Sequence, residues 1–388
     1  MRRDKNLSVL FYLFLTLWVA ALIYQILALG SLARFSRMPL PSLSGHSHPG
    51  VTVLKPVRGV GADTRECLTS FLNQAYAPFQ VLFGVADPQD RVIPLLKELQ
   101  SSFPEVDVEI LVCQANLGLN PKVSTLRQLE PQARYDYLVI SDSDIKVGPD
   151  YLQQVVAALQ EPGVGLVTCP YRAGKMRSLG AAFEALSISA DFIPSVAVAY
   201  YVEGISFGLG ATLALSRQVL AQSGGLAVLA DYLADDYQLG NRVAQVGYQI
   251  RLLPYVVETH ASEETFIGYL AHQLRWARTY RVCRPRGYFA YGITQVLIFA
   301  LCTWLFSGLA PWALGIVFAT IMVRGIVAYG SEHRLLQGQL PWPYLALVPL
   351  KDLLSFGLWL LSFMGDKVRW QGKLYRVKPS GELDRISR

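Results

Sequence analysis

Apolar positions along this chain follow two regimes. At the ends they run together. Residues Asn6 to Ala33 contain no charge, and from Tyr288 to Gly330 the only charged residue is Arg324. Each run exceeds the roughly 20 residues that cross a bilayer as a helix. The first is also longer than the apolar core of a cleaved leader, about 7–15 residues, so it reads as an uncleaved anchor. Ser307-Gly308 and Pro311 divide the second run into two helix-length halves. A third apolar stretch, Trp342 to Met364, carries Lys351-Asp352 at its middle. A charge pair at bilayer depth faces protein or marks function, so this stretch either spans, lies in the interface or re-enters.

Between these ends, short apolar runs alternate with amphipathic segments. Val51–Leu54, Val81–Ala86, Val106–Val112, Tyr137–Ser141 and Gly165–Thr168 predict strands; Thr64–Gln74, Val92–Ser102, Val123–Leu129 and Tyr151–Leu159 predict helices. That alternation predicts an α/β fold with a mostly parallel central sheet covered by helices. Further on, 214–221 and 235–246 predict helices, 250–257 a strand, and 263–282 a helix ending in arginines. Phe192 to Leu215 is apolar enough to resemble a span, but Glu203 and its glycines assign it to the folded α/β region. The connector from Met38 to Gly45 is rich in Pro, Ser and Gly and reads as a linker. The expected organisation is an anchor over 1–37, a linker over 38–50, an α/β domain over 51–285, apolar helices over 286–365 and a basic tail over 366–388.

Composition agrees with a membrane-bound chain. The chain is 52% hydrophobic and 16% charged, against a usual charged fraction of about 25%. Arg34 and Arg37 follow the anchor, and Arg278, Arg281, Arg284 and Arg286 precede the second apolar region. Positive charge at these flanks places the central domain in the cytoplasm. The basic tail (Lys367, Arg369, Lys373, Arg376, Lys378) conflicts with three full C-terminal spans, and Arg2, Arg3 and Lys5 add a weaker conflict at the other end. The net charge of +6 fits attraction to anionic head groups. No basic stripe with interleaved aromatics appears, so nucleic acid is not an expected partner. The cysteines at 67, 113, 169, 283 and 302 show no zinc spacing.

Candidate chemistry lies in three acidic clusters, Asp87, Asp142-Ser143-Asp144 and Asp235-Asp236, followed by Arg275-Trp276. The first two clusters end predicted strands, where α/β sheets bind ligands. Asp142 and Asp144, two apart on extended chain, point the same way and together suit a hard divalent cation. Asp87 suits either ligand contact or a helix-capping turn. Asp235-Asp236 suits the start of a helix and also a general base for an attacking hydroxyl. Arginines 275, 278 and 281 recur three apart and suit either a pyrophosphate or a lipid surface. His260 and His272 are secondary candidates for a base, while His46 and His48 fall in the linker. Phosphate-binding loops of the Walker type and a complete dinucleotide fingerprint after a strand are both missing from the sequence.

With these residues in place the chain resembles the ceramide glucosyltransferase family, glycosyltransferase family 21, within the family 2-like GT-A enzymes, and its bacterial hopanoid-associated members. The matching segments are Leu54-Lys55-Pro56-Val57-Arg58-Gly59, Val85-Ala86-Asp87, Asn120-Pro121-Lys122, Ser141-Asp142-Ser143-Asp144, Ala234-Asp235-Asp236-Tyr237 and Leu274-Arg275-Trp276. The resemblance implies an inverting transfer of one sugar, glucose or N-acetylglucosamine, from a UDP-sugar to a lipid hydroxyl (ceramide or hopanoid) at the cytoplasmic face of a bacterial inner membrane. It implies that Asp87 contacts the uracil, Asp142 the nucleotide, and Asp144 with Asp142 a divalent cation, Mg2+ or Mn2+. It further implies that Asp236 is the base, that Arg275 and Trp276 line the donor and acceptor sites, and that Lys55 and Lys122 belong to the nucleotide-sugar site. His272 stands where the family has Gln or Arg, and Asp142-Ser143-Asp144 where animal members have Asp-Ser-Gly. A processive polysaccharide synthase and a non-catalytic nucleotide-sugar-binding membrane protein are the competing readings. Self-association is left open.

Overall fold

The computed structural model describes residues 2–42, 48–260 and 265–386. His46 and the first two residues of the predicted 263–282 helix lie outside them. By spatial clustering the chain forms two units. One comprises Pro39–Gly174, Gly204–Ala261 and Trp370–Arg388; the other comprises Met1–Met38, Lys175–Glu203 and Ser262–Arg369.

The first unit is built on strands β1 Val51–Val57, β2 Phe79–Val85, β3 Asp107–Val112, β4 Tyr137–Ile140, β5 Ile145–Lys146, β6 Val164–Thr168, β7 Tyr171–Ala173, β8 Leu213–Ser216, β9 Gln249–Leu252 and β10 Val257–Thr259. Seven of them form one sheet in the order β3-β2-β1-β4-β8-β6-β9. β1 pairs in parallel with β2 and β4, and β2 with β3. Residues 51–55 are buried without alternation, as expected of a parallel strand covered on both faces. Helix Pro121–Leu129 packs so closely on β2 that a Cβ at Gly84 would stand 2.5 Å from the Thr125 methyl. The core joins Leu54, Leu82, Leu126, Leu138, Leu166, Leu215 and Leu239.

β8 corrects the expected helix over 214–221. Leu213–Leu215 is buried, pairs antiparallel with both β4 and β6, and ends at Ser216, whose hydroxyl accepts from Val219 N to start a short helix, Arg217–Gln222. A buried apolar segment between two strands gains more from the sheet than its sequence spacing indicates. The expected strand over 250–257 becomes β9 and β10 with Pro254 between them. β5, β10 and β7 form a small second sheet.

The second unit contains helices Arg2–Phe35, Leu179–Ser187, Ile193–Val202, Phe266–Cys283, Pro285–Tyr291, Val296–Phe306, Pro311–Tyr329 and Val348–Ser362. By length and composition Leu7–Phe35, Leu179–Val202, Pro311–Leu335 and Trp342–Ser362 can each cross a membrane, and Pro285–Thr294 with Val296–Phe306 forms a further pair bent by 50°. Val9, Tyr12, Ile23, Ile26, Trp312, Phe318 and Met322 are exposed on these helices, while Trp18 Nε1 donates to Thr320 Oγ1 at 2.9 Å inside. Residues 179–202 cluster with the apolar helices, and the chain enters the α/β unit at Gly204. The charge-bearing stretch after Trp342 buries both charges: Lys351 is fully buried and pairs with Asp191 at 2.5 Å and with Asp352 at 2.7 Å.

Candidate active site

The acidic clusters of the α/β unit sit where strands β1, β2 and β4 end together. Leu54 is opposite Ile140 and Val57 opposite Val85, so the chain leaves the sheet along one edge at Arg58, Ala86 and Ser141. Two loops on that edge are tied. Gly59 N donates to both carboxylate oxygens of Asp90, at 2.9 and 3.1 Å, and Asp90 also accepts from Val92 N. Asp90, not Asp87, therefore tethers the loop and starts the following helix. Asp87 is exposed; its carbonyl accepts from Asp90 N and its Oδ1 from Gln89 N, a local turn that leaves Oδ2 open to a ligand among the described residues.

Lys122 is the centre of the cluster. Asn120 caps its helix, accepting from Val123 N, and Pro121 occupies the first turn. The Asn120 amide donates to Tyr232 O at 2.7 Å and Asp235 Oδ1 at 3.4 Å, and Asn120 N donates to Ala230 O. This clamps the 230–235 loop beside the helix start. Lys122 Nζ then lies 2.8 Å from Asp142 Oδ1 and 3.2 Å from Asp235 Oδ2. Burial acts to lower the Lys122 ammonium, but Asp142, Asp235 and Asp236 outweigh it and hold it well above its usual range.

The two neighbouring aspartates at the start of helix Asp235–Gln245 thus differ. Asp235 is engaged by Lys122 and Asn120. Asp236 accepts from Tyr237 N at 2.7 Å; the ion pairs of Lys122 go to Asp142 and Asp235 instead. Burial and the Asp235 charge push the Asp236 carboxyl up to about 6. Gly210 lets the clusters meet: a Cβ there would stand 3.1 Å from Asp236 Oδ2 and 3.3 Å from Asp142 Oδ2.

Lys55 and Asp144 flank this group. Lys55 is fully buried, its Nζ 2.6 Å from Asp142 O, 3.4 Å from Ser141 Oγ and 3.6 Å from the Phe71 ring centre. Burial lowers it to about 7. It braces the backbone of the Asp142 turn from below. Burial and Asp142 raise the Asp144 carboxyl to about 6, and Asp144 O accepts from His260 N at 2.8 Å.

His260, which its isolated position in the sequence undervalued, is buried between two carboxylates. Nδ1 is 3.2 Å from Asp63 and Nε2 2.7 Å from Glu258. Its pairing with Glu258 raises it, and in turn His260 helps hold Glu258 down at about 2. Nε2 bonds Glu258, while Nδ1 is buried beside Asp63 without a formed hydrogen bond; through its backbone the residue joins the strand after Asp144 to β10. No spacing rule links residues 63, 144, 258 and 260, so only the fold could reveal the set.

Arg275 and Trp276 belong to the other unit, on helix Phe266–Cys283. Trp276 packs against His272 at 4.6 Å and Phe192 at 6.2 Å between ring centres. His272 Nδ1 meets Glu184 Oε2 at 3.3 Å. Arg278 donates to Lys367 O, and Arg281 donates to Gly365 O at 2.8 Å. Two of the three regularly spaced arginines therefore bind the chain after the last apolar helix and do not form a free cationic face.

The segment read as a basic tail is also partly folded. Lys373–Val377 and Leu383–Arg385 pair antiparallel. Leu383 N donates to Asp231 O at 2.6 Å, and Glu382 bridges to Tyr232. This hairpin supports the loop that leads into Asp235.

Comparison with known proteins is consistent with this arrangement. The profile of glycosyl transferase family 21 matches residues 13–383. The chain belongs to glycosyl transferase family 21. Ceramide glucosyltransferase 3 of Caenorhabditis elegans is 24% identical over 233 residues, 60% of this chain and 50% of that protein. The ceramide glucosyltransferase of Candida albicans is 32% identical over 124 residues, 29% of this chain and 23% of that protein. The chain thus spans half or less of the length of these relatives. A mannosyltransferase from Pyrobaculum calidifontis, solved with GDP-Man and Mn2+, superposes with a TM-score of 0.52 at 18% identity, covering 89% of this chain and 99% of that one. That likeness is one of fold, the GT-A architecture of α/β type.

Proposed function

We propose that this family 21 member transfers a single sugar from a UDP-sugar to a hydroxyl of a membrane lipid. The observation that carries the reading is the convergence of Asp142, Asp235 and Asp236 on Lys122 at the end of the sheet, with Asp236 outside the ion pairs. Asp236 would act as the base: a carboxyl raised to about 6 is ionised at neutral pH yet more basic than an ordinary carboxylate. It would take the proton of the acceptor hydroxyl as that oxygen attacks the anomeric carbon from the side opposite the departing UDP, which inverts the centre.

A divalent cation is part of the proposal: among the described residues no three His, Cys, Asp or Glu side chains gather as a metal site, so the protein would supply two carboxylates and the diphosphate and water the remaining oxygens. Asp142 and Asp144 would hold Mg2+ or Mn2+, which offsets charge on a sugar diphosphate when bound. Asp87 would meet the base of the nucleotide, with Lys55 fixing the Asp142 turn and Lys122 offering an ammonium to the phosphates. Arg275 and Trp276 would line the donor and acceptor sites. Glucose or N-acetylglucosamine is the proposed sugar. A ceramide or hopanoid is the proposed acceptor, at the cytoplasmic face of a bacterial inner membrane. The curated ceramide glucosyltransferase relatives and the candidate spans support a lipid acceptor.

The test is Asp236→Asn. Transfer to a lipid should fall by about 10²–10⁴ while UDP binding, read by calorimetry, stays within about twofold of the parent. Equal transfer by parent and variant would remove Asp236 as the base.

A further inference from the structure

The chain beyond the last apolar helix carries exposed charge that the transfer chemistry above does not use. A helix able to cross a membrane ends at Ser362. Lys367, Arg369, Lys373, Arg376, Lys378 and Arg385 follow it, all exposed. The carboxylates of the same stretch are Asp366, Glu382 and Asp384. Lys378 pairs with Glu382 at 3.6 Å, and Arg376 stands opposite Asp384 in the hairpin register. Among the described residues, the side chains of Lys367, Arg369, Lys373 and Arg385 have no ion-pair partner. An extended chain advances at most about 3.6 Å per residue, so Lys367 lies within about 18 Å of the helix end and Lys373 within about 40 Å. Lysines and arginines clustered directly after a membrane helix attract anionic head groups.

The other side of this stretch is bonded to the machinery. Tyr375, Val377 and Leu383 are buried, which turns one face of the hairpin onto the α/β unit and leaves the charges on the other. Leu383 N donates to Asp231 O at 2.6 Å, and a Cβ at Gly381 would stand 3.4 Å from the Tyr232 ring. Asp231 and Tyr232 are held from the far side by Leu119 N and the Asn120 amide, so the loop entering Asp235-Asp236 lies between two clamps. Gln371 Oε1 accepts from Arg58 Nη1 at 2.6 Å, one residue before the Gly59 N–H that holds Asp90. Upstream, Arg278 and Arg281 donate to the carbonyls of Lys367 and Gly365 from the helix that carries Arg275 and Trp276. One strap, residues 365–385, is thus bonded to the β1 loop, to the loop before the base and to the Arg275-Trp276 helix.

We propose that the exposed side of this strap docks on anionic phospholipid head groups of the membrane that holds the chain, and that docking steadies the 230–236 loop and raises transfer. Charge selects the partner. Six cations stand against three carboxylates, and the strand face that carries Arg376 and Lys378 offers Leu374 as its apolar residue. An anionic surface matches that face; an apolar protein surface does not. The docking rests on the membrane reading of the apolar helices, and its effect on transfer rests on the function proposed above.

The experiment places full-length protein in nanodiscs of phosphatidylcholine alone or with about 30% phosphatidylglycerol. Amide hydrogen exchange is read over residues 366–386 and 229–236, with transfer from UDP-glucose to ceramide measured in parallel. Phosphatidylglycerol should slow exchange in both segments and raise transfer, each at least about threefold, and about 0.5 M NaCl should cancel the effect. The triple variant Lys367→Gln, Lys373→Gln, Arg385→Gln should match the parent in phosphatidylcholine and lose the response to phosphatidylglycerol. Equal exchange by the parent in the two lipids, or a full response by the triple variant, would overturn the proposal. Slowed exchange in both segments without transfer to any lipid upholds the docking surface and overturns the catalytic reading instead.

Discussion

Replacing Lys122 by methionine removes one charge from the centre of the acidic cluster and keeps most of the side-chain volume. In the parent, Lys122 and Asp235 are 15% and 11% exposed, and Asp142 is 39% exposed. Removing one partner of a well-buried pair costs about 3–5 kcal/mol, whereas exposed pairs contribute about 1 kcal/mol or less. The Asp235 contact lies near the first limit and the Asp142 contact nearer the second, so a loss of about 2–4 kcal/mol is expected. The variant also leaves Asp142, Asp235 and Asp236 facing one another without a counter-charge, which makes it a better cation site before donor binds. Thermal unfolding by intrinsic fluorescence, at one scan rate, should show a lower midpoint for Lys122→Met. Millimolar Mg2+ or Mn2+ should restore more of that loss than it adds to the parent. Lys122→Arg should fall between the two. An unchanged midpoint, or an equal shift by cation in both proteins, would refute the view that Lys122 balances these carboxylates.

Gly210→Ala places a methyl 3.1 Å from Asp236 Oδ2 and 3.3 Å from Asp142 Oδ2; transfer should fall at least tenfold with little change in unfolding midpoint. Asp236 and Asp144 are raised to about 6, so transfer should decline as pH falls through 6. The stability of donor-free protein should move the other way. A carboxyl raised in the folded state disfavours folding when ionised, and that penalty disappears between 6 and the ordinary value near 4. The His260 pairing, also raised, is lost only as pH rises, and Glu258, held at about 2, stays ionised throughout. Unfolding midpoints at pH 5.5 and 7.5 test the sign. Truncation after Trp370 removes the hairpin bonded to Asp231 and Tyr232; it should speed proteolysis of the 230–236 loop and lower transfer with the apolar helices intact.

The apolar runs and the alternation from Val51 to Thr168 were readable because each is local. Strand burial and helix periodicity repeat every few residues, and a charge-free run declares its own length. The order of the acidic motifs was readable in the same way, down to Asp235-Asp236 opening a helix. Other features depended on distant partners. Leu213–Leu215 reads as part of a helix alone and becomes a strand because β4 and β6 leave a place between them. Two adjacent aspartates look alike in sequence; Lys122, reached through the Asn120 cap, makes one an ion-pair partner and leaves the other outside. Lys351-Asp352 looked costly until Arg324 and Asp191 met it from other helices. In each case a long-range electrostatic or packing contact decided the outcome, and residues on separate elements, far apart in the chain, have no spacing rule by which to announce that they will touch.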